Sequence, residues 1–123
     1  MDDGFTAHVL DLIGDAAVSP RRMFGAVGLW RDGRMFAIVI DEELYLKADA
    51  ATQGDFEAAG SEPFVYSRGA REITIGKWWR APDGALEDAE SLRPWVRAAL
   101  DAAQRAPAKA MKSTRRKAAT RQR

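Results

Sequence analysis

The pair Asp32-Gly33 stands between two runs of strand-forming residues, and it constrains the fold more than any other feature of the chain. Asp-Gly satisfies the two positive φ angles of a type I′ turn, whose twist matches that of a two-stranded antiparallel hairpin. Residues 24–31 form one arm and residues 34–40 the other. The second arm, Met35-Phe36-Ala37-Ile38-Val39-Ile40, is apolar at every position. Successive side chains of a strand point to opposite faces, so this arm is expected to be a central strand covered on each side. A polar connection, Asp41-Glu42-Glu43, leads to a third alternating strand, Leu44-Tyr45-Leu46-Lys47.

The flanking segments supply helices and two more strands. Residues 5–17 carry Phe5, Val9, Leu12, Ile13 and Ala16 at helical spacing, and Ser19-Pro20 is expected to end that helix. Asp49 suits the N-cap of a helix over residues 50–59, and Gly60 suits the left-handed position after it. Phe64-Val65-Tyr66 and Glu72-Ile73-Thr74-Ile75 read as short strands joined by a turn at Ser67-Arg68-Gly69, after which Trp78-Trp79-Arg80-Ala81-Pro82 leaves the sheet. A final helix is predicted from Leu92, Trp95, Val96, Ala99, Leu100 and Ala103, with Ser91 as cap, Pro94 in the first turn and an end near Arg105. The expected order is α-β-β-β-α-β-β-α. This is an α+β fold with a mainly antiparallel sheet of about five strands and helices packed at its faces.

Charge divides the chain into a domain, residues 1–105, and a tail, residues 106–123. Of 19 Lys/Arg, eight lie from Gln104 onward with no acidic residue among them, which leaves eleven basic against eighteen acidic residues before that point. A basic, alanine-rich stretch without large hydrophobes cannot offset its ordering entropy, so the tail is expected to be disordered when free. Lys109, Lys112, Arg115, Arg116, Lys117, Arg121 and Arg123 are its candidate nucleic-acid contacts. Alternatives are docking on an acidic body or a purely solubilising role.

The chain has no cysteine and one histidine, His8. Disulfides, thiolate metal sites and cysteine nucleophiles are excluded, and no cofactor or metal is expected. The acidic start Met1-Asp2-Asp3-Gly4 is unlike a secretory signal, and no apolar run has membrane-spanning length. A cytoplasmic protein with no membrane role is the expectation.

Taken in order, Met23-Phe24-Gly25, Gly28-Leu29-Trp30, Asp32-Gly33, Met35-Phe36-Ala37 and Leu44-Tyr45-Leu46-Lys47 form a block that resembles the TfoX N-terminal domain. Gly60-Ser61-Glu62-Pro63-Phe64, Trp79-Arg80-Ala81-Pro82 and Leu86-Glu87-Asp88 extend the likeness over about two thirds of the chain. TfoX, or Sxy, proteins are bacterial regulators of natural competence that act with the cyclic-AMP receptor protein. The resemblance implies transcriptional co-regulation without chemistry, and a protein partner: a transcription factor or a second copy of the chain. In the longer regulators a second, helical domain follows.

The block also has a structural reading. Asp32-Gly33 makes a turn, Gly25 and Gly28 permit a bulge or close backbone approach, and Phe24, Trp30, Phe36 and Tyr45 are core or strand-pair residues. Gly25-Ala26-Val27-Gly28 matches a KH-type Gly-x-x-Gly loop in letters but stands in strand context. Lys47 is read as an edge lysine rather than a catalytic amine, His8 as a helix-boundary residue, and Asp41, Glu42 and Glu43 as a solvated turn. Trp78 and Trp79 point to opposite faces if they lie on a strand. Either one indole faces out beside Arg80 as a partner contact, or both are covered by the last helix.

Overall fold

The computed structural model describes residues 3–106. Its elements run α1 (Asp3–Ile13), β1 (Ser19–Met23), β2 (Ala26–Arg31), β3 (Arg34–Ile40), β4 (Glu43–Lys47), α2 (Gln53–Ala58), β5 (Pro63–Arg68), β6 (Arg71–Arg80) and α3 (Ala89–Arg105). The strands form one six-stranded sheet in the order β1-β2-β3-β4-β6-β5, antiparallel at every step. The tail beyond residue 106 lies outside the described residues.

Three consecutive hairpins build the first four strands. Each turns on a pair of residues at positive φ: Phe24 (49°) and Gly25 (82°), Asp32 (54°) and Gly33 (78°), Asp41 (52°) and Glu42 (59°). Positive φ at both central positions defines the type I′ turn, so Asp32-Gly33 does what its letters indicate. The first turn corrects the expected strand over residues 24–31. Phe24 is in that turn, fully exposed, and is neither a core nor a strand-pair residue. A separate strand, β1, precedes it. Ser19-Pro20 opens that strand instead of closing a helix; β1 is an edge, where a proline removes no ladder hydrogen bond. The first helix stops earlier than expected, at Ile13, because Gly14 takes φ +65° and its N–H still reaches the Leu10 carbonyl at 2.9 Å.

Opposed residues in a sheet share a face, so the register sorts the side chains. Leu29, Ala37, Leu46 and Trp79 align across four strands, Val27, Val39 and Leu44 across three, and all seven are buried. Phe36 joins them through a bulge. Trp30 pairs with Met35 and Leu29 with Ala37, so Phe36 is the extra residue, and it turns into the core at 0% exposure.

The helices close over this face alone. Val9 of α1, Phe56 of α2, and Leu92, Val96, Ala99 and Ala103 of α3 belong to the same core cluster. Phe56 sits between Trp79, at a ring separation of 6.1 Å, and Trp95, at 5.0 Å. Each large apolar side chain buried here contributes about 1.5–3 kcal/mol.

Helix ends differ from expectation in instructive ways. Asp88, not Ser91, caps α3, its Oδ1 accepting the Ser91 N–H at 2.8 Å. Helix α3 therefore starts at Ala89 and Pro94 falls beyond the first turn, where its missing N–H leaves the Glu90 carbonyl without a helical partner. Asp49 does not cap α2, which starts only at Gln53. Its carboxylate instead accepts the Ala51 N–H at 3.1 Å and a two-pronged contact from Arg105, Nε at 2.7 Å and Nη2 at 3.0 Å. Gly60 has the expected left-handed conformation at φ +81°.

Candidate functional site

The face of the sheet opposite the helices is covered by no other described element. One row across it runs Arg21, Gly28, Ile38, Tyr45, Arg80; Trp30 and Met35 face each other beside it, as do Lys47 and Trp78 further along. Met35, Ile38, Ile40, Tyr45 and Trp78 are half-buried, shielding one another without a covering layer. The expectation that β3 is covered on each side is thus corrected: its core side is closed, and its other side is open.

Two cations lie over indoles on this face. The Arg21 guanidinium is 4.9 Å from the Trp30 ring and the Lys47 ammonium 5.2 Å from the Trp78 ring. Such pairs hold a charge above an apolar plate while leaving part of it accessible. Arg80 reaches Glu62 at 2.9 Å. Tyr45 meets Phe64 edge to face at 4.9 Å, and Phe64 stacks on Tyr66 at 6.0 Å, which carries the aromatic strip onto the edge strand. Burial pushes the Tyr45 hydroxyl up from its usual range, with Glu43 adding to the shift.

Gly28 lies at the base of this surface. A Cβ there would come within 2.6 Å of the Met35 sulfur, 3.1 Å of the Trp30 indole nitrogen and 3.4 Å of the Met23 sulfur. The glycine is what lets two thioethers and an indole close over the strand. Gly25 has the different task of its turn. Both glycines suit a close approach or a bulge by residue type alone; at Gly28 it is methionine side chains that fill the space.

Trp78 and Trp79 do not leave the sheet; both belong to β6, opposite Lys47 and Leu46. Alternation separates them. Trp79 is buried, its indole N–H donating to the Gly76 carbonyl at 3.0 Å, and Trp78 lies on the open face. Trp30, Tyr45, Lys47, Trp78 and Arg80 therefore share one surface. Leu29, Phe36, Leu46 and Trp79 serve the core, while Phe24, Gly25, Asp32 and Gly33 form turns. Among the candidates, Lys109, Lys112, Arg115, Arg116, Lys117, Arg121 and Arg123 lie outside the described residues.

Lys47 is half-buried, and burial followed by the nearby Lys77 lowers its pKa. The neighbouring carboxylate, Asp49, is held below its usual range chiefly by Arg105 and is committed to that guanidinium. A lysine so placed is oriented over an indole, and the carboxylate nearest to it in the sequence is engaged by Arg105. An open groove of about 670 Å³ lies between α1 and α3, floored by Leu12, Leu92, Val96 and Leu100. Among the described residues no group of His, Asp or Glu is arranged to hold a metal ion, and no helix is long and apolar enough to cross a membrane.

The arrangement defines a class: an α+β scaffold whose antiparallel sheet is closed by helices on one side and presents aromatic, thioether and cationic groups on the other. Comparison with known proteins agrees with the motif block. The TfoX N-terminal domain matches residues 10–103, and the chain belongs to that family. DNA transformation protein TfoX1 of Aliivibrio fischeri is 34% identical over 55 residues, spanning 45% of this chain and 26% of that protein.

Proposed function

We propose that the protein is a small non-enzymatic regulatory adaptor that binds a protein partner over the open face of its sheet. The carrying observation is that face itself: Trp30, Met35, Ile38, Tyr45 and Trp78 at its centre, with Arg21, Lys47 and Arg80 interleaved. Tryptophan, tyrosine and arginine dominate interface energetics, and methionine adapts to irregular partners. A matching surface offers apolar side chains ringed by carboxylates. Membership of a family whose relative is named for DNA transformation supports a role in regulating competence, and a transcription factor is the partner that role calls for.

Capture of crosslinked partners by the full chain, compared with Trp78→Ala and Arg80→Ala, tests this. Loss of the Trp78 indole or of the Arg80 guanidinium each weakens binding about 30-fold or more. A survey returning no partner, or capture by both variants equal to that of the wild-type chain, refutes the reading.

A second reading rests on the charge division: a basic tail joined to an acidic body. In it the tail holds nucleic acid through phosphate contacts without sequence preference, and removing residues 107–123 abolishes that binding.

A further inference from the structure

Among the described residues the sheet ends in two edge strands that pair on one side only, and they are built differently. Edge strand β1 carries Pro20, Arg21 and Arg22, the residues that discourage strand addition. Edge strand β5 reads Pro63-Phe64-Val65-Tyr66-Ser67-Arg68 and carries no charge before its last residue. Val65 is 44% exposed and Tyr66 39%. The edge is also extended. Strand β6 pairs with β4 only through Trp78, Trp79 and Arg80, whereas β5 meets it at Trp79 and, past an irregularity between Pro63 and Phe64, from Ile75 down to Arg71. Residues 64–75 therefore project beyond β4 as a two-stranded ribbon, an arrangement of marginal stability by itself.

From this geometry we infer that β5 is a dimerisation edge and pairs antiparallel with β5 of a second copy of the chain. A two-fold axis perpendicular to the sheet preserves faces. Residues of like parity must then stand opposite one another, so the axis falls on a residue. Centring it on Val65 overlaps residues 63–67 and sets Arg68 opposite Glu62, the residue just before the strand. Phe64 then faces Tyr66 of the second copy, Val65 faces Val65, and Glu62 faces Arg68.

This register resolves an oddity within the single chain. Directly opposite Arg68 on β6 is Arg71, another cation, and like charges in that position repel. Glu62 of the second copy brings a carboxylate to the pair. That carboxylate is 66% exposed while holding Arg80, and a carboxylate has acceptor sites for both. The contact is made twice across the axis. It also joins the strip Tyr45, Phe64, Tyr66 to its counterpart, making one continuous aromatic surface. The β5 edge and the open face are separate surfaces, so dimerisation stands or falls independently of partner capture.

Sedimentation velocity of the full chain over a concentration series gives the test. The wild-type chain shows a reversible monomer–dimer equilibrium. Glu62→Arg alone opposes Arg to Arg at both ends of the strand pair, and Arg68→Glu alone opposes Glu to Glu. Each weakens the dimer about tenfold. Mixed in equal amounts the two variants restore it, because every end of the heterodimer then pairs Arg with Glu. This rescue also shows that both variants are folded. A wild-type chain that stays monomeric up to about 1 mM overturns the proposal. So does a dimer indifferent to either substitution, or one weakened by both and not rescued by mixing.

Discussion

Phe24 and Gly28 are neighbours on one hairpin with opposite constraints. Phe24 holds φ +49° while its side chain is wholly in solvent, so nothing in the described fold offsets the steric cost of a bulky residue in the left-handed region. Phe24→Asn keeps the type I′ turn with a residue suited to it and is expected to stabilise the domain by about 1 kcal/mol. Thermal denaturation reads this as a rise of about 4–8 °C. An unchanged or lower melting temperature contradicts the strain assigned to this turn. Gly28 is limited by contact, not by φ. In Gly28→Ala the added methyl meets the Met35 sulfur at 2.6 Å, which can swing aside, and the Trp30 indole at 3.1 Å, which is less free to move. A loss of about 1–2 kcal/mol is expected, from the low end of overpacking costs. Trp30 fluorescence should shift with it, since the indole must move. Fluorescence and stability both unchanged would mean that the methionines alone absorb the methyl.

Among the elements, α3 is held most visibly from outside itself. Arg34, at the start of β3, donates through Nη1 to the carbonyls of Ala103 at 3.0 Å, Gln104 at 2.7 Å and Ala106 at 3.2 Å. These are the acceptors that a helix C-terminus leaves unsatisfied. Arg34→Met retains the apolar stem and removes the cap, at a cost of about 1–2 kcal/mol. Hydrogen exchange should quicken in the last turn of α3 and leave β3 protected. A uniform change across both would place the effect elsewhere. Arg105 ties the same turn to Asp49, whose carboxyl is held below its usual value by that contact. A depressed folded-state pKa makes the contribution complete above the ordinary carboxylate value of about 4. The contribution is lost as pH falls through the folded value. The stability gap between wild type and Asp49→Asn should therefore be present at neutral pH and close in acid; a gap that widens in acid reverses the sign and rules this out. Neither tie was visible in the sequence, because each joins residues more than fifty positions apart. Local chemistry was legible: Asp32-Gly33 announced its hairpin, Gly60 its helix end, and the run from Leu92 to Ala103 its helix. Elements whose boundaries depend on tertiary fit were not. A phenylalanine in a left-handed turn hid β1, the bulge at Phe36 masked which side of β3 is closed, and Asp88 outcompeted Ser91 as a cap. Of the candidate face, the alternation of Trp78 and Trp79 was readable, but its grouping with Trp30 and Tyr45 needed the strand order.

At the scale of the whole molecule, charge separates two modes of action that the fold leaves open. Residues 107–123 hold seven Lys/Arg, and without them twelve basic residues face eighteen acidic ones. The truncated chain is then a polyanion near neutral pH and should be repelled by nucleic acid. If the tail binds phosphates, each contact displaces condensed counterions, and the salt dependence counts the contacts. Seven cations set an upper bound: the slope of log Kobs against log salt can be no steeper than about −6 on duplex DNA and about −5 on a single strand. A measured slope within that bound, with binding abolished by truncation, assigns the nucleic-acid contact to the tail. A steeper slope requires cations from the folded domain, and Arg21, Arg22, Lys47 and Arg80 are then the groups to neutralise. Binding that survives truncation with its slope unchanged removes the tail from the mechanism and leaves the open face to account for the interaction.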